Sequence, residues 1–367
     1  MIRGIQYLRG IAALLVVVLH ARIAVNHYLV NISERAFLYP ENTWVTAGRF
    51  GVDIFFVISG FVISITLFKV NANNMEQVRT FLRKRLIRII PFFWVCLCLY
   101  TISELYINSK AVFDAYKFFT TAAFQFYMDD RGNPSTSYGV SWTLNFELLF
   151  YVIAGMFVVM FGRKWAFPTI LFFSITSALF YAYGKDANVV QKFIFNPITI
   201  EFMFGIVIAH VYRAGFRLNV FTALILSLCC FAYLASIPYT GLSDWYLGRT
   251  IHAGIPSALI VFSFISLVIK NPHADSLMMK LGESSYSLYL VHAIAISWVS
   301  YLLSVLSIKI QSHFGANLYL LLLIVISTVF GLLMHVYVEK PILKYFNSKV
   351  DRKYTAKPAP ELHEKLN

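Results

Sequence analysis

The chain has 367 residues, 59% of them hydrophobic and 13% charged, with a mean hydropathy of +0.67. These values exclude an ordinary soluble domain, and repeated apolar runs of about 20 residues predict an all-α polytopic membrane protein. The formal charge of +13 raises nucleic acid as a partner, but the Lys and Arg residues gather in loops between apolar runs, which is a topology signal, so nucleic acid is set aside.

In chain order the apolar runs predict about ten spans, at 5–25, 48–68, 87–107, 139–161, 165–183, 194–213, 219–237, 248–269, 281–306 and 316–338. Segment 111–127 is apolar but interrupted by Asp114 and Lys117, and is expected to lie at the interface or re-enter. Loops on one side, including Lys69 to Arg88 and the stretch from Lys340 onward, carry about twice the Lys and Arg of the opposite loops, among them Arg35, Lys185 and Lys309. That bias puts both termini in the cytoplasm. Residues 1–346 form the membrane domain, and 347–367 are expected to be a polar, disordered tail. No internal repeat is apparent. Cys96, Cys98, Cys229 and Cys230 sit inside apolar runs and read as small buried hydrophobes.

The first span carries Arg9 and His20, eleven residues apart. At about 100° per residue both leave one face of a helix, about 16 Å apart along its axis. A charge inside a bilayer costs about 2.5–3.5 kcal/mol on insertion scales and so usually has a use. A signal peptide is the competing reading, opposed by the arginine inside the run and by the spans that follow.

With this orientation four ionisable groups, His20, Asp53, Glu147 and Glu201, fall in one layer roughly 7–10 Å below the outer surface. A histidine beside a carboxylate can be held in one tautomer as a general base, which makes His20, Asp53 and Glu147 catalytic candidates and Glu201 a secondary one. Polar packing between helices is the alternative for the carboxylates. At the opposite mouth, Arg85 and Arg88 share a helix face just before Pro91. Their guanidinium forks, with Arg9, suit a phosphate-bearing donor, whereas Arg79, Arg83 and Lys84 read as lipid-headgroup contacts. His292 shares a helix with Ser285, Tyr286 and Tyr289, and His252 lies near Arg249; each is a packed polar residue or a site residue. Glu339 reads as a helix-end ion pair. No metal-ligand spacing, P-loop or dinucleotide fingerprint is present, so neither a metal nor a permanently bound cofactor is expected.

Five motifs in order resemble the membrane-bound acyltransferase-3 family of bacterial O-acyltransferases that modify surface polysaccharides. They are QYLRGIAALLVVVLH, GVDIFFVISGF with Ser59, RLIRIIP, SWTLNFELLFY and LGESSYSLYLVH, and the terminal VEKP also matches. The opening motif is most similar to the exopolysaccharide and O-antigen branch. The resemblance implies a required Arg9, a catalytic His20, and an acyl-CoA site at Arg85 and Arg88. It further implies a multi-pass protein of the bacterial inner membrane, acetyl-CoA as donor substrate, and a glycan or lipid-linked sugar as acceptor among membrane lipids.

The expected reaction is removal of a glycan hydroxyl proton by His20, oriented by Asp53, during attack on the thioester, with Ser59, Tyr289 or backbone amides stabilising the oxyanion. An acetyl-histidine intermediate is equally allowed. The alternative function is a secondary transporter or glycan flippase in which the same histidine and carboxylates relay protons.

Overall fold

The computed structural model describes residues 2–33, 44–70, 75–183, 188–240, 246–308, 310 and 312–355. Arg35, Lys185, Lys309 and residues 356–367 of the expected tail lie outside them. Its helices, in order, are α1 (Arg3–Ser33), α2 (Phe50–Leu67), α3 (Met75–Ile107), α4 (Ala115–Ala122), α5 (Trp142–Phe161), α6 (Ala166–Tyr183), α7 (Val189–Ile194) and α8 (Ile200–Arg213). They continue as α9 (Val220–Thr240), α10 (Tyr246–Arg249), α11 (Ile255–Phe264), α12 (Pro272–Glu283), α13 (Ser285–Val305), α14 (His313–Met334) and α15 (Lys340–Thr355). A two-residue hairpin, β1 (Tyr127–Met128) with β2 (Pro134–Ser135), is the single sheet among the described residues.

Nine helices among the described residues are long and apolar enough to cross a membrane, and they coincide with nine of the expected spans. The exception is 248–269. There the chain passes from α10 through a π turn at Thr250–Gly254 into α11, leaving a shorter apolar helix at Thr250–Phe264. Segment 111–127 forms the short α4, whose first turn is capped by Asp114 Oδ1 accepting from the Lys117 amide at 3.0 Å. Residues 347–355, expected as disordered tail, continue the helix α15 to Thr355.

Helix α2 is the axis of the bundle. It is packed by α1 on one side and α8 on the other, and 72% of its apolar window is buried, against 28% for α9. Apolar side chains cover α2 all round because protein surrounds it, whereas the bare faces of α9 and α14 meet lipid. Its crossing with α8 depends on two glycines: a Cβ on Gly60 would lie 2.1 Å from the Phe202 carbonyl oxygen, and one on Gly205 would lie 2.2 Å from that of Val57. Small residues let the backbones approach where lipid supplies no hydrophobic drive for helix association. One apolar core stacks Phe56, Phe150 and Phe202, with Phe150 and Phe202 4.6 Å apart; a second joins Leu8, Ile54, Phe61 and Ile260. Cys96 and Cys230 lie in these cores, but Cys98 and Cys229 are exposed, which corrects the expectation for that pair. Each position on a helix turns by about 100°, so Cys98 lies about 200° round from Cys96 and Cys229 about 100° from Cys230, and neither pair faces inward together.

Candidate active site

Helix α1 sets the length scale of the site. Arg9 lies near its start and His20 three turns further on, so one rigid helix ties two chemically distinct ends together.

At the arginine end an open vestibule leads to a narrower cavity. Arg9, Arg85 and Arg88 line both. Pro91 interrupts the hydrogen-bond ladder of α3 one turn past Arg88, and buried neighbours make such a break tolerable within a membrane helix. Arg85 donates from Nη2 to Thr66 Oγ1 at 2.9 Å and lies over the Phe81 ring at 5.5 Å. Arg9 donates from Nη1 to Gln6 Oε1 at 3.1 Å. Among the described residues none of the three makes a salt bridge to a carboxylate, and Arg88 makes no hydrogen bond. Three converging guanidiniums with donors to spare form a receptor for an anion, above all a phosphate.

Glu147 faces the same cavity. Its Oε1 accepts from Ser59 Oγ at 2.9 Å and from the Tyr151 hydroxyl. The carboxylate therefore sits with the arginines instead of beside His20. The far wall of the cavity is made by Phe55, Thr143 and Tyr289, with the Phe55 and Tyr289 rings 5.9 Å apart and edge to face. Tyr289 donates to the Val140 carbonyl at 3.0 Å, and its oxygen is 2.9 Å from Thr143 Oγ1. Ser59 and Tyr289 were both expected as oxyanion donors. The Ser59 hydroxyl proton is committed to Glu147, and the Tyr289 hydroxyl is held between Val140 and Thr143.

Beyond Tyr289 stands a pair of imidazoles. The His292 ring is 6.1 Å from that of Tyr289 and 4.8 Å from that of His20. His20 Nδ1 donates to the Val16 carbonyl at 2.9 Å, which leaves Nε2 with the lone pair when the ring is neutral. His292 repeats the pattern, with Nδ1 donating to the Leu288 carbonyl at 3.2 Å. Its Nε2 is buried and has no partner among the described residues. His20 is partly exposed and His292 is not, so His20 is the accessible base of the pair. Neither histidine lines the two cavities.

Asp53 does not orient His20. Its carboxylate is clamped by Arg249 through two hydrogen bonds, Nε to Oδ1 at 3.0 Å and Nη2 to Oδ2 at 3.1 Å. Asp53 is 0% exposed, and a buried carboxylate takes a guanidinium when one is in reach, whereas an imidazole can be held by the carbonyl one turn back on its own helix. Glu201 belongs to the same cluster, fully buried beside the Asp53 carboxyl group and within electrostatic reach of Arg249. The π turn after Arg249 brings Gly254 against this residue, where a Cβ would lie 3.2 Å from Glu201 Cγ. The layer expected from depth thus separates into three groups: His20 with His292, Asp53 with Glu201 and Arg249, and Glu147 with the arginines. His252 pairs with the Tyr233 hydroxyl at 2.6 Å, away from the other histidines.

Arg249 went unrecognised in the sequence as Asp53's partner. The signal was available, since two carboxylates and one arginine within apolar runs call for mutual compensation. Tyr151, one turn from Glu147, was also missed.

The family model described as "Acyltransferase domain" matches residues 2–336. The chain belongs to this family. It is an acyltransferase of the type that moves groups other than aminoacyl groups, and the transporter alternative lapses. Among curated proteins it is 27% identical over 309 residues to the exopolysaccharide production protein ExoZ of Rhizobium meliloti, covering 82% of this chain and 90% of that protein. It is 24% identical over 336 residues to the O-acetyl transferase of Shigella phage Sf6, covering 84% and 92%. A shorter match, 32% identical over 135 residues, reaches the peptidoglycan O-acetyltransferase OatA of Listeria monocytogenes, covering 34% of this chain and 21% of that protein. No solved structure matches the chain significantly.

Proposed function

We propose that the protein moves an acetyl group from cytoplasmic acetyl-CoA to a hydroxyl of a surface polysaccharide on the outer side of the bacterial inner membrane. The observation that carries this reading is the set of three arginines, none in a salt bridge with a carboxylate among the described residues, shared by an open vestibule and the narrower cavity behind it. The donor's phosphates would rest on Arg9, Arg85 and Arg88, and its extended thioester arm would fill the cavity toward Tyr289. The separation of about 16 Å between Arg9 and His20 suits that arm. The names of the relatives, an exopolysaccharide production protein and two O-acetyltransferases, support acetyl as the group and a glycan as the acceptor.

In the reaction, His20 Nε2 accepts the proton of the glycan hydroxyl while the oxygen attacks the thioester carbonyl. The carbon–sulfur bond breaks, and the proton passes from the imidazole to the departing thiolate, giving the acetyl ester and free coenzyme A. The Nδ1 bond to Val16 holds the ring so that Nε2 is the basic atom. Phe55 and Tyr289 stand between the cavity and the imidazoles, so the thioester reaches His20 when these rings part. Glu147 balances the arginine charge at the donor end.

Membranes containing the protein, supplied with labelled acetyl-CoA and the cell's polysaccharide, should esterify the glycan. His20→Ala should lower that rate by about 10²–10⁴-fold with the protein still inserted. Undiminished esterification by His20→Ala would overturn the assignment.

A further inference from the structure

Where α14 meets α15 lies a group that the chemistry above does not use. The helix passes through a π turn at His335–Glu339, a distortion often found at functional sites. Within it Glu339 Oε2 accepts from His335 Nδ1 at 2.6 Å and from Ser287 Oγ at 2.5 Å. Glu339 is thus more than a helix-end ion pair: it anchors an imidazole and a hydroxyl from α13 at once. His335 is only 7% exposed, and its Nε2 has no hydrogen-bond partner among the described residues. Leaving a buried polar atom unpaired costs about 1–3 kcal/mol, so such an atom calls for an occupant. A carboxylate that fixes one ring nitrogen and leaves the other free is how proteins aim an imidazole at a ligand.

The surroundings say which ligand. His335 and Glu339 line the wide vestibule together with Arg9, Arg85, Arg88 and Lys84, and neither lines the narrower cavity that would take the thioester arm. We infer that His335 is a further donor-binding residue, whose Nε2 hydrogen-bonds the nucleotide portion of the acyl donor in the vestibule while Glu339 and Ser287 hold the ring in place. This inference rests on the acetyl-CoA reading.

The test compares two donors on the full-length protein in nanodiscs: acetyl-CoA, and S-acetylpantetheine, which keeps the thioester arm and lacks the nucleotide. For His335→Gln, kcat/KM with acetyl-CoA should fall about 10- to 100-fold through KM, and kcat/KM with S-acetylpantetheine should stay at the wild-type value. Equal losses with both donors would mean a purely structural role and overturn the inference. Should His335→Gln not accumulate, Ser287→Ala removes one of the two bonds to the carboxylate, and should give a smaller loss confined to acetyl-CoA; a loss shared by both donors again overturns it. A wild-type protein that uses the two donors equally well would instead overturn the coenzyme A reading, and the role of His335 with it.

Discussion

Arg249 and the Arg9, Arg85 and Arg88 group are all guanidiniums drawn into one apolar bundle, and they meet opposite fates. Arg249 is locked in two parallel bonds to a carboxylate that is 0% exposed. The other three converge on open cavities with no carboxylate bridge among the described residues. A bidentate buried pair fixes helices against each other and has little capacity left for a ligand. Guanidiniums without such a partner retain their donors for one. The contrast divides the bundle into a clamp, which joins α2 to α10, and a port.

The clamp should give the larger effect on stability. Arg249→Gln leaves Asp53 buried without its partner and should destabilise the protein by about 3–5 kcal/mol, read as lost thermal stability in detergent. The double variant Asp53→Asn with Arg249→Gln should recover most of that loss, because Asp53 then leaves no unpaired charge behind. A single variant as stable as wild type would deny the clamp its role.

The port should respond in kinetics and leave stability nearly unchanged. Arg85→Lys keeps the charge but loses the planar fork, and should raise KM for acetyl-CoA about tenfold with little change in melting temperature. A melting loss comparable to that of Arg249→Gln would place Arg85 with the clamp. Smallest is Ser59→Ala, which removes one of the two hydrogen bonds to Glu147 and should cost about 1 kcal/mol, seen as a severalfold change in kcat/KM. A complete loss of activity would instead give Ser59 a direct part in the reaction.

Relations within one helix were legible in the sequence, because the helical period alone determines them. Arg9 and His20 share a face of α1, and Arg85 and Arg88 reach the same cavity from α3. Nine of the expected spans follow from hydropathy for the same reason. Relations between helices were not legible, since they depend on how far each helix is rotated about its axis. Depth placed Asp53 and Glu147 in the layer of His20. Rotation turns Asp53 toward Arg249, which the broken helix at 246–264 presents, and Glu147 toward Ser59 and the arginine cavity. Likewise the i,i+4 spacing of His335 and Glu339 is visible in the sequence, but the Ser287 hydroxyl that completes their cluster comes from another helix. His292 was noticed as a polar residue within a span, yet only the packing of α13 against α1 brings its ring to His20.

Calorimetric titration of coenzyme A into the purified, detergent-solubilised protein addresses the port without any chemistry. Wild type and His20→Ala should bind coenzyme A alike, and Arg88→Ala should bind it at least tenfold more weakly while melting at the wild-type temperature. Equal affinity for coenzyme A in Arg88→Ala and wild type, or no binding by either, would contradict the arginine port.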